Sequence, residues 1–188
     1  MIKIGITGSL ASGKTTASKI LSNSRGPLFS ADKIVKKLYE KKSFRSIISK
    51  KFGIKNNSLI KKSVKKIIFK NKSNLKKLEK IVHPLVRKQM RNFTSKNRRK
   101  KILFFEIPLL IESKLMKFFS VIIFIKSKKN LRLKRFEASG GDKKLFNLLD
   151  KKQMSDQKKI TFCDHVVVNE KNLNILKKKL SSIMHKYE

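Results

Sequence analysis

Between Ile4 and Lys19 the chain reads IGITGSLASGKTTASK, and its residue types and their spacing suit one kind of chemistry. Gly8, Gly13, Lys14 and Thr15 fill the pattern G-x-x-x-x-G-K-[ST] behind an apolar β-like run, Ile2 to Thr7, and ahead of a helical pattern. Glycine at both ends of the loop permits backbone conformations closed to other residues, so that successive N–H groups can line a concave nest. The following helix adds its positive N-terminal end. A polyphosphate is the guest such a nest suits. The reading places Gly8, Ala11, Ser12, Gly13, Lys14, Thr15 and Thr16 around that polyphosphate. Lys14 would reach the β and γ oxygens and the Thr15 hydroxyl would ligate Mg²⁺.

Only twelve carboxylates exist in the chain, which narrows the search for a base. Asp32 follows the run PLFSA and Glu106 ends the run KILFFE, so both are expected at the carboxyl edge of a sheet. Glu112 falls beyond that third strand. Asp164 precedes a later strand and is expected at the opposite edge. A carboxylate that orients an attacking hydroxyl and accepts its proton assists phosphoryl transfer. For Asp32 two roles stay open at this level, base or N-cap of a helix starting at Lys33. For Glu106 they are support of Mg²⁺ through water or pairing with nearby lysines. Arg135 is a candidate for stabilising transition-state charge and Arg87 for gripping a phosphate of the second substrate, against the alternative of solvated surface charge. His83, His165 and His185 show no shared metal spacing.

The elements that must position these residues alternate in type. Ile2 to Thr7, Pro27 to Ser30, Ile102 to Ile107, Val121 to Lys126 and Val166 to Asn169 read as strands with helical patterns between them. This predicts an α/β fold: a five-stranded parallel sheet flanked by helices, with ligands at the carboxyl ends of the strands. The reading is one domain over 1–188, carrying a helical insertion at 33–98 and a lid at 135–155. The insertion is read from KIVKKLYEK, SFRSIISKKFG, SLIKKSVKKIIFK and NLKKLEKIVHPLVRKQMRNF, with Pro84 expected to interrupt the last helix. Gly140 and Gly141 offer the lid a hinge.

Composition bounds the rest. With 188 residues a single core is expected. No apolar run approaches the length of a membrane span, about eighteen residues or more, and no secretory leader precedes the first strand, so a cytoplasmic protein is expected. Cys163 is the sole cysteine, which excludes an intrachain disulfide and reads as a small buried hydrophobe. The 49 Lys plus Arg against 12 Asp plus Glu give a formal charge of +37. These charges are spread along the whole chain with few aromatics between them, unlike a dedicated nucleic-acid stripe. Joint abundance of Lys, Asn, Ile and Phe points to compositional bias; the charge still attracts anionic substrates.

Taken together, the segments resemble the dephospho-CoA kinase family almost end to end. GITGSLASGKTT resembles its nucleotide loop, SADKIVKKLY its acidic motif and LEKIVHPLVRKQM its His-Pro segment. IPLLIES resembles its Pro-Leu-Leu motif, and QMSDQKKITFCDHVVVNE its closing block. The resemblance implies transfer of the ATP γ-phosphoryl group to the ribose 3′-hydroxyl of dephospho-CoA. It makes Asp32 the base and aligns Arg135 with a lid arginine and Asn169 with the loop near the adenine. It assigns His83, Arg87, Pro108, Leu109 and Leu110 to the acceptor site and makes the helical insertion the acceptor-binding part. Two positions depart from the family pattern: Ser30 replaces the first Asp of an Asp-Ala-Asp motif, and Ser139 replaces a second lid arginine, leaving Arg135 with Lys143 or Lys144.

Three rivals share parts of this pattern. A nucleoside or nucleotide kinase differs in its acceptor, and a nucleic-acid-binding ATPase would show steeply salt-dependent binding. A switch GTPase would need an Asn-Lys-x-Asp segment after a late strand, which the sequence lacks.

Overall fold

The computed structural model describes residues 1–55, 59–71 and 73–188. Five strands form one sheet: β1 (Ile2–Gly8), β2 (Leu28–Ser30), β3 (Ile102–Glu106), β4 (Val121–Lys126) and β5 (His165–Val168). Their order is β2-β3-β1-β4-β5 and every pairing is parallel. Strands covered on both faces need apolar residues at every position, which is why ILFFE and VIIFI read as unbroken runs. β3 is buried along its whole length.

The direction in which successive strands are added to the sheet reverses at β1, whose neighbours are β3 and β4. This is a topological switch point, where the loops after adjacent strands diverge and leave a crevice at the carboxyl edge. The register brings Ile6 beside Glu106, Gly8 beside Ile125, and Ser30 beside Glu106. One sheet edge therefore presents the start of the glycine loop and the end of β3 together.

On one face, α1 (Lys14–Ser22) and α9 (Leu173–Met184) cover the sheet. Ala17, Leu21, Leu176, Leu180 and Met184 pack there against Ile4, Ile6, Phe104, Ile123 and Ile125. Each buried Leu, Ile, Phe or Met among these contributes about 1.5–3 kcal/mol before the opposing entropy is counted. On Phe105, from the opposite side of β3, Phe29, Phe118 and Phe119 pack as tilted or edge-on rings. After β4 come α6 (Lys129–Ala138), α7 (Lys143–Asp150) and the short α8 (Asp156–Ile160). Asp142 caps α7 through the Leu145 amide at 2.7 Å, and the Phe136 and Phe146 rings join α6 to α7.

The chain divides into two compact units, Met1–Ser30 with Lys96–Glu188, and Ala31–Ser95. The second unit holds α2 (Ala31–Glu40), α3 (Lys42–Phe52), α4 (Ile60–Lys70) and α5 (Ser73–Lys96). Within it Tyr39 meets Phe44 edge-on, and Lys61 lies over the Tyr39 ring. Ser58, expected to open the third helical stretch, lies outside the described residues, as do 56, 57 and 72 of the expected insertion.

Two expectations are corrected here. α5 runs through Pro84 without interruption. Proline removes one N–H from the ladder, but Val82, Val86 and Met90, spaced four apart, are buried on both sides of it and hold the helix together. α2 begins at Ala31, directly after β2, so Asp32 stands in the first helical turn and is not an N-cap before Lys33. An acid in that turn is favoured by the helix dipole.

Candidate active site

The glycine loop leaves β1 at Gly8 and enters α1 at Lys14. Gly13 has φ +94° and Gly8 φ +151°, both in the region that favours glycine, and Ala11 also takes a positive φ of 57°. Gly13 is the N-cap of α1 and offers no side-chain cap, so the first amides of the helix keep their donors for a ligand. Lys14 is almost fully buried, and its ammonium donates to the Ser9 carbonyl at 2.8 Å, folded along the loop. Ser12 is wholly buried, and its hydroxyl has no hydrogen-bond partner among the described residues.

Thr15 and Glu106 meet at the mouth of the loop. The Thr15 hydroxyl donates to Glu106 Oε1 at 2.5 Å, and Glu106 is only 2% exposed. Of the two roles left open for Glu106, support of Mg²⁺ through water or pairing with lysines, the second does not occur among the ion pairs of the described residues. A hydroxyl and a carboxylate are hard oxygen donors of the kind Mg²⁺ accepts, usually with phosphates and waters completing its shell. No group of three or more His, Cys, Asp or Glu side chains able to hold a metal occurs among the described residues. A divalent ion at Thr15 and Glu106 would thus take its remaining ligands from nucleotide and water.

Around the loop stands a second set of side chains. Arg135 donates to the Ser12 carbonyl at 3.4 Å, to Ser127 Oγ at 3.0 Å and to the Asn169 carbonyl at 3.1 Å. The expected lid arginine is therefore half-buried and braced against the loop. Asn169 donates from Nδ2 to the Ser12 carbonyl at 2.9 Å. Arg132 reaches the Leu10 carbonyl at 3.3 Å and Asp150 Oδ1 at 2.6 Å. Ser9 Oγ donates to Asp156, and the Leu10 amide donates to Gln153 Oε1 at 3.2 Å.

Sequence reasoning assigned Arg135 and Asn169 individually, but missed Arg132, Gln153, Asp156 and Lys159. Gln153 sits inside the closing block already singled out, and its distance from Leu10, 143 residues, hid the contact. Thr16 is exposed in the first turn of α1 beside Thr15. Thr7 Oγ1 donates to the Pro108 carbonyl at 3.1 Å, which fixes the start of the loop after β3. Pro108 and Leu109 keep partial exposure, whereas Leu110 is fully buried beneath Gly5. Leu110 thus packs under the sheet edge and offers no surface to a ligand.

In the other unit, Asp32 is exposed. His83 and Arg87 lie one turn apart on α5, with Arg87 exposed and His83 half-buried. Burial, aided by the Arg87 charge and opposed by Glu79, holds the His83 pKa below the ordinary histidine value. Asp164 binds the Ile122 amide at 2.7 Å at the start of β4, the edge opposite the loop, as expected. The Cys163 thiol is pushed up to about 12, first by burial and then by Asp164, with Lys159 opposing. Such a thiol is no nucleophile near neutral pH.

A family model described as dephospho-CoA kinase matches residues 2–174. The chain belongs to the dephospho-CoA kinase family. It is 37% identical over 182 residues to a dephospho-CoA kinase of Fusobacterium nucleatum, covering 94% of each chain. With a Bartonella quintana dephospho-CoA kinase it shares 32% over 186 residues, covering 96% of this chain and 95% of that one. Among solved structures, a dephospho-CoA kinase from Campylobacter jejuni superposes with a TM-score of 0.69 at 25% identity, covering 98% and 96%. A Thermus thermophilus protein gives 0.83 at 25%, covering 100% and 98%. Shikimate kinase from Acinetobacter baumannii, at 0.55 and 16%, shares the fold, over 99% of this chain and 92% of its own. The enzyme is thus a kinase whose fold is that of the phosphate-loop kinases. No helix among the described residues is long and apolar enough to cross a membrane.

Proposed function

We propose that the enzyme transfers the γ-phosphoryl group of ATP to the ribose 3′-hydroxyl of dephospho-CoA, giving CoA and ADP, in the cytoplasm. Family membership over residues 2–174 supports the acceptor, and the meeting of the glycine loop with the Thr15–Glu106 pair supports phosphoryl transfer as the chemistry. That pair is the observation that carries the reading, because a buried carboxylate held against the loop threonine has no use in a loop that binds nothing.

The loop amides of Gly8, Ala11, Ser12 and Gly13, with Lys14 and Thr16, hold the ATP phosphates. Their donors are fixed before the reaction, so charge that develops between the β and γ phosphates is met without reorganisation. Lys14 would leave the Ser9 carbonyl for a phosphate oxygen, exchanging a neutral acceptor for a charged one. Thr15 and Glu106 would hold Mg²⁺, which when bound neutralises negative charge on the β and γ phosphates. Arg135 lies close enough to Ser12 to add positive charge beside the transferring group. The loop at Asn169 borders the adenine.

Asp32 orients the acceptor hydroxyl and takes its proton. As the hydroxyl oxygen bonds to the γ-phosphorus, the bond from that phosphorus to the β–γ bridging oxygen breaks and its electron pair leaves with ADP. His83 and Arg87 bind acceptor phosphate, and a His83 kept neutral by burial offers a hydrogen bond without adding a second charge. Pro108 and Leu109 line the acceptor side, and Leu110 supports them from below. Residues 135–155 close as the lid.

ADP release from Mg²⁺-ATP, compared across dephospho-CoA, nucleoside monophosphates, duplex DNA and no acceptor, tests the reading. Turnover with dephospho-CoA alone is expected. Stimulation by DNA or by a nucleoside monophosphate in its place would overturn it.

A further inference from the structure

Lys159 is 0% exposed, in a chain where most lysines sit in solvent. A buried ammonium persists only where partners offset its lost hydration. Its Nζ pairs with Glu112 Oε1 at 2.7 Å and donates to Gln153 Oε1 at 3.3 Å. Gln153 Oε1 also accepts from the Leu10 amide in the glycine loop, at 3.2 Å. Glu112 Oε1 in turn accepts from the Met154 amide at 3.2 Å. A chain of polar contacts therefore runs from the segment after β3, through α8, to the phosphate-binding loop.

The direction of this chain follows from donor and acceptor types. An ammonium has three donors and no acceptor, so it selects the rotation of the Gln153 carboxamide that turns oxygen inward. Only that rotation also gives the Leu10 N–H an acceptor; the flipped one would set N–H₂ against N–H. Leu10 precedes Ala11, the loop residue held at φ 57°. Its amide orientation bears directly on the turn that aims the following donors at phosphate.

We propose that Lys159 is a positioning residue for ATP: held by Glu112, it locks the Gln153 carboxamide, which fixes the Leu10 amide and with it the phosphate-binding turn. This rests on Gly8–Thr15 being the nucleotide loop. The segment from Gln153 to Lys159, at the end of the lid stretch, thereby steadies the loop. Lys159 itself touches no substrate.

The test is steady-state kinetics of Gln153→Met, Lys159→Met, the double variant and Gln153→Glu, with KM for ATP and for dephospho-CoA measured separately. Gln153→Met and Lys159→Met should each raise KM for ATP about tenfold, the size of one lost buried hydrogen bond, with KM for dephospho-CoA unchanged. The double variant should match the worse single one, because the two residues act in series. Gln153→Glu keeps an acceptor for both donors and should stay near the wild-type value. An unchanged KM for ATP in Gln153→Met overturns the proposal, even if Lys159→Met does not fold. So do additive effects in the double variant, or equal rises in both KM values. Lys14→Met run alongside separates the premise from the proposal, since full ATP affinity in that variant would refute the loop assignment itself.

Discussion

The side-chain amide of Asn169 donates to the Ser12 carbonyl at 2.9 Å and fills the space that a Cβ on Gly13 would occupy. Gly13 is therefore fixed twice, by its φ of +94° and by the Asn169 side chain packed against it.

 The carboxamide of Asn169 leaves no room there for even a methyl group. Gly13→Ala should lose affinity for ATP and cost about 1–3 kcal/mol of stability from the backbone conformation alone. A thermal melt with and without ATP checks both, the expectation being a lower Tm and little upward shift on adding nucleotide.

Thr15 and Glu106 supply the second prediction. Thr15→Val keeps the side-chain shape but removes the only hydroxyl that reaches the buried Glu106 carboxylate among the described residues. The expected outcome is a kcat at least about tenfold lower and a higher Mg²⁺ requirement, with Thr15→Ser close to wild type. A Mg²⁺ titration of turnover in the two variants decides it.

The sheet was legible because strands buried on both faces must be apolar throughout, as ILFFE and VIIFIK are, and because the glycine loop needs fixed residues at fixed spacing. Their bounds differ from the expected ones by a residue or so, as at His165–Val168. Pro84 misled because a local rule about proline was overridden by the burial of Val82, Val86 and Met90. Asp32 was open between two roles until the helix start at Ala31 removed one of them. The clasp formed by Arg132, Gln153, Asp156 and Lys159 was hidden for another reason. Its contacts to the loop join residues far apart in sequence, and one buried lysine among 49 basic residues carries no local mark.

His83 gives a pH dependence whose sign follows from its environment. Burial disfavours the imidazolium, so the folded-state pKa lies below the ordinary histidine value of about 6.5 and the unfolded chain binds more protons between the two values. The stability due to this group is present above about pH 6.5 and is lost as pH falls through the folded-state pKa. Chemical denaturation between pH 7.5 and 5 should show this loss, and His83→Gln should flatten it.

Asp32 is exposed, so Asp32→Asn should fold as the wild type does. If it takes the proton of the acceptor hydroxyl, kcat should fall by about 10²–10⁴ with KM for ATP little changed. Stopped-time assays of CoA formation, with a melting curve for each protein, give the comparison.

The proposed reaction moves one phosphoryl group from ATP to a single hydroxyl of dephospho-CoA. It is tested most directly by ³¹P NMR of the products of a reaction run to completion with Mg²⁺-ATP. A new phosphomonoester coupled to the ribose 3′ proton is expected, in an amount equal to the ADP formed. A phosphate at another position, or ADP formed with dephospho-CoA left unchanged, would contradict it.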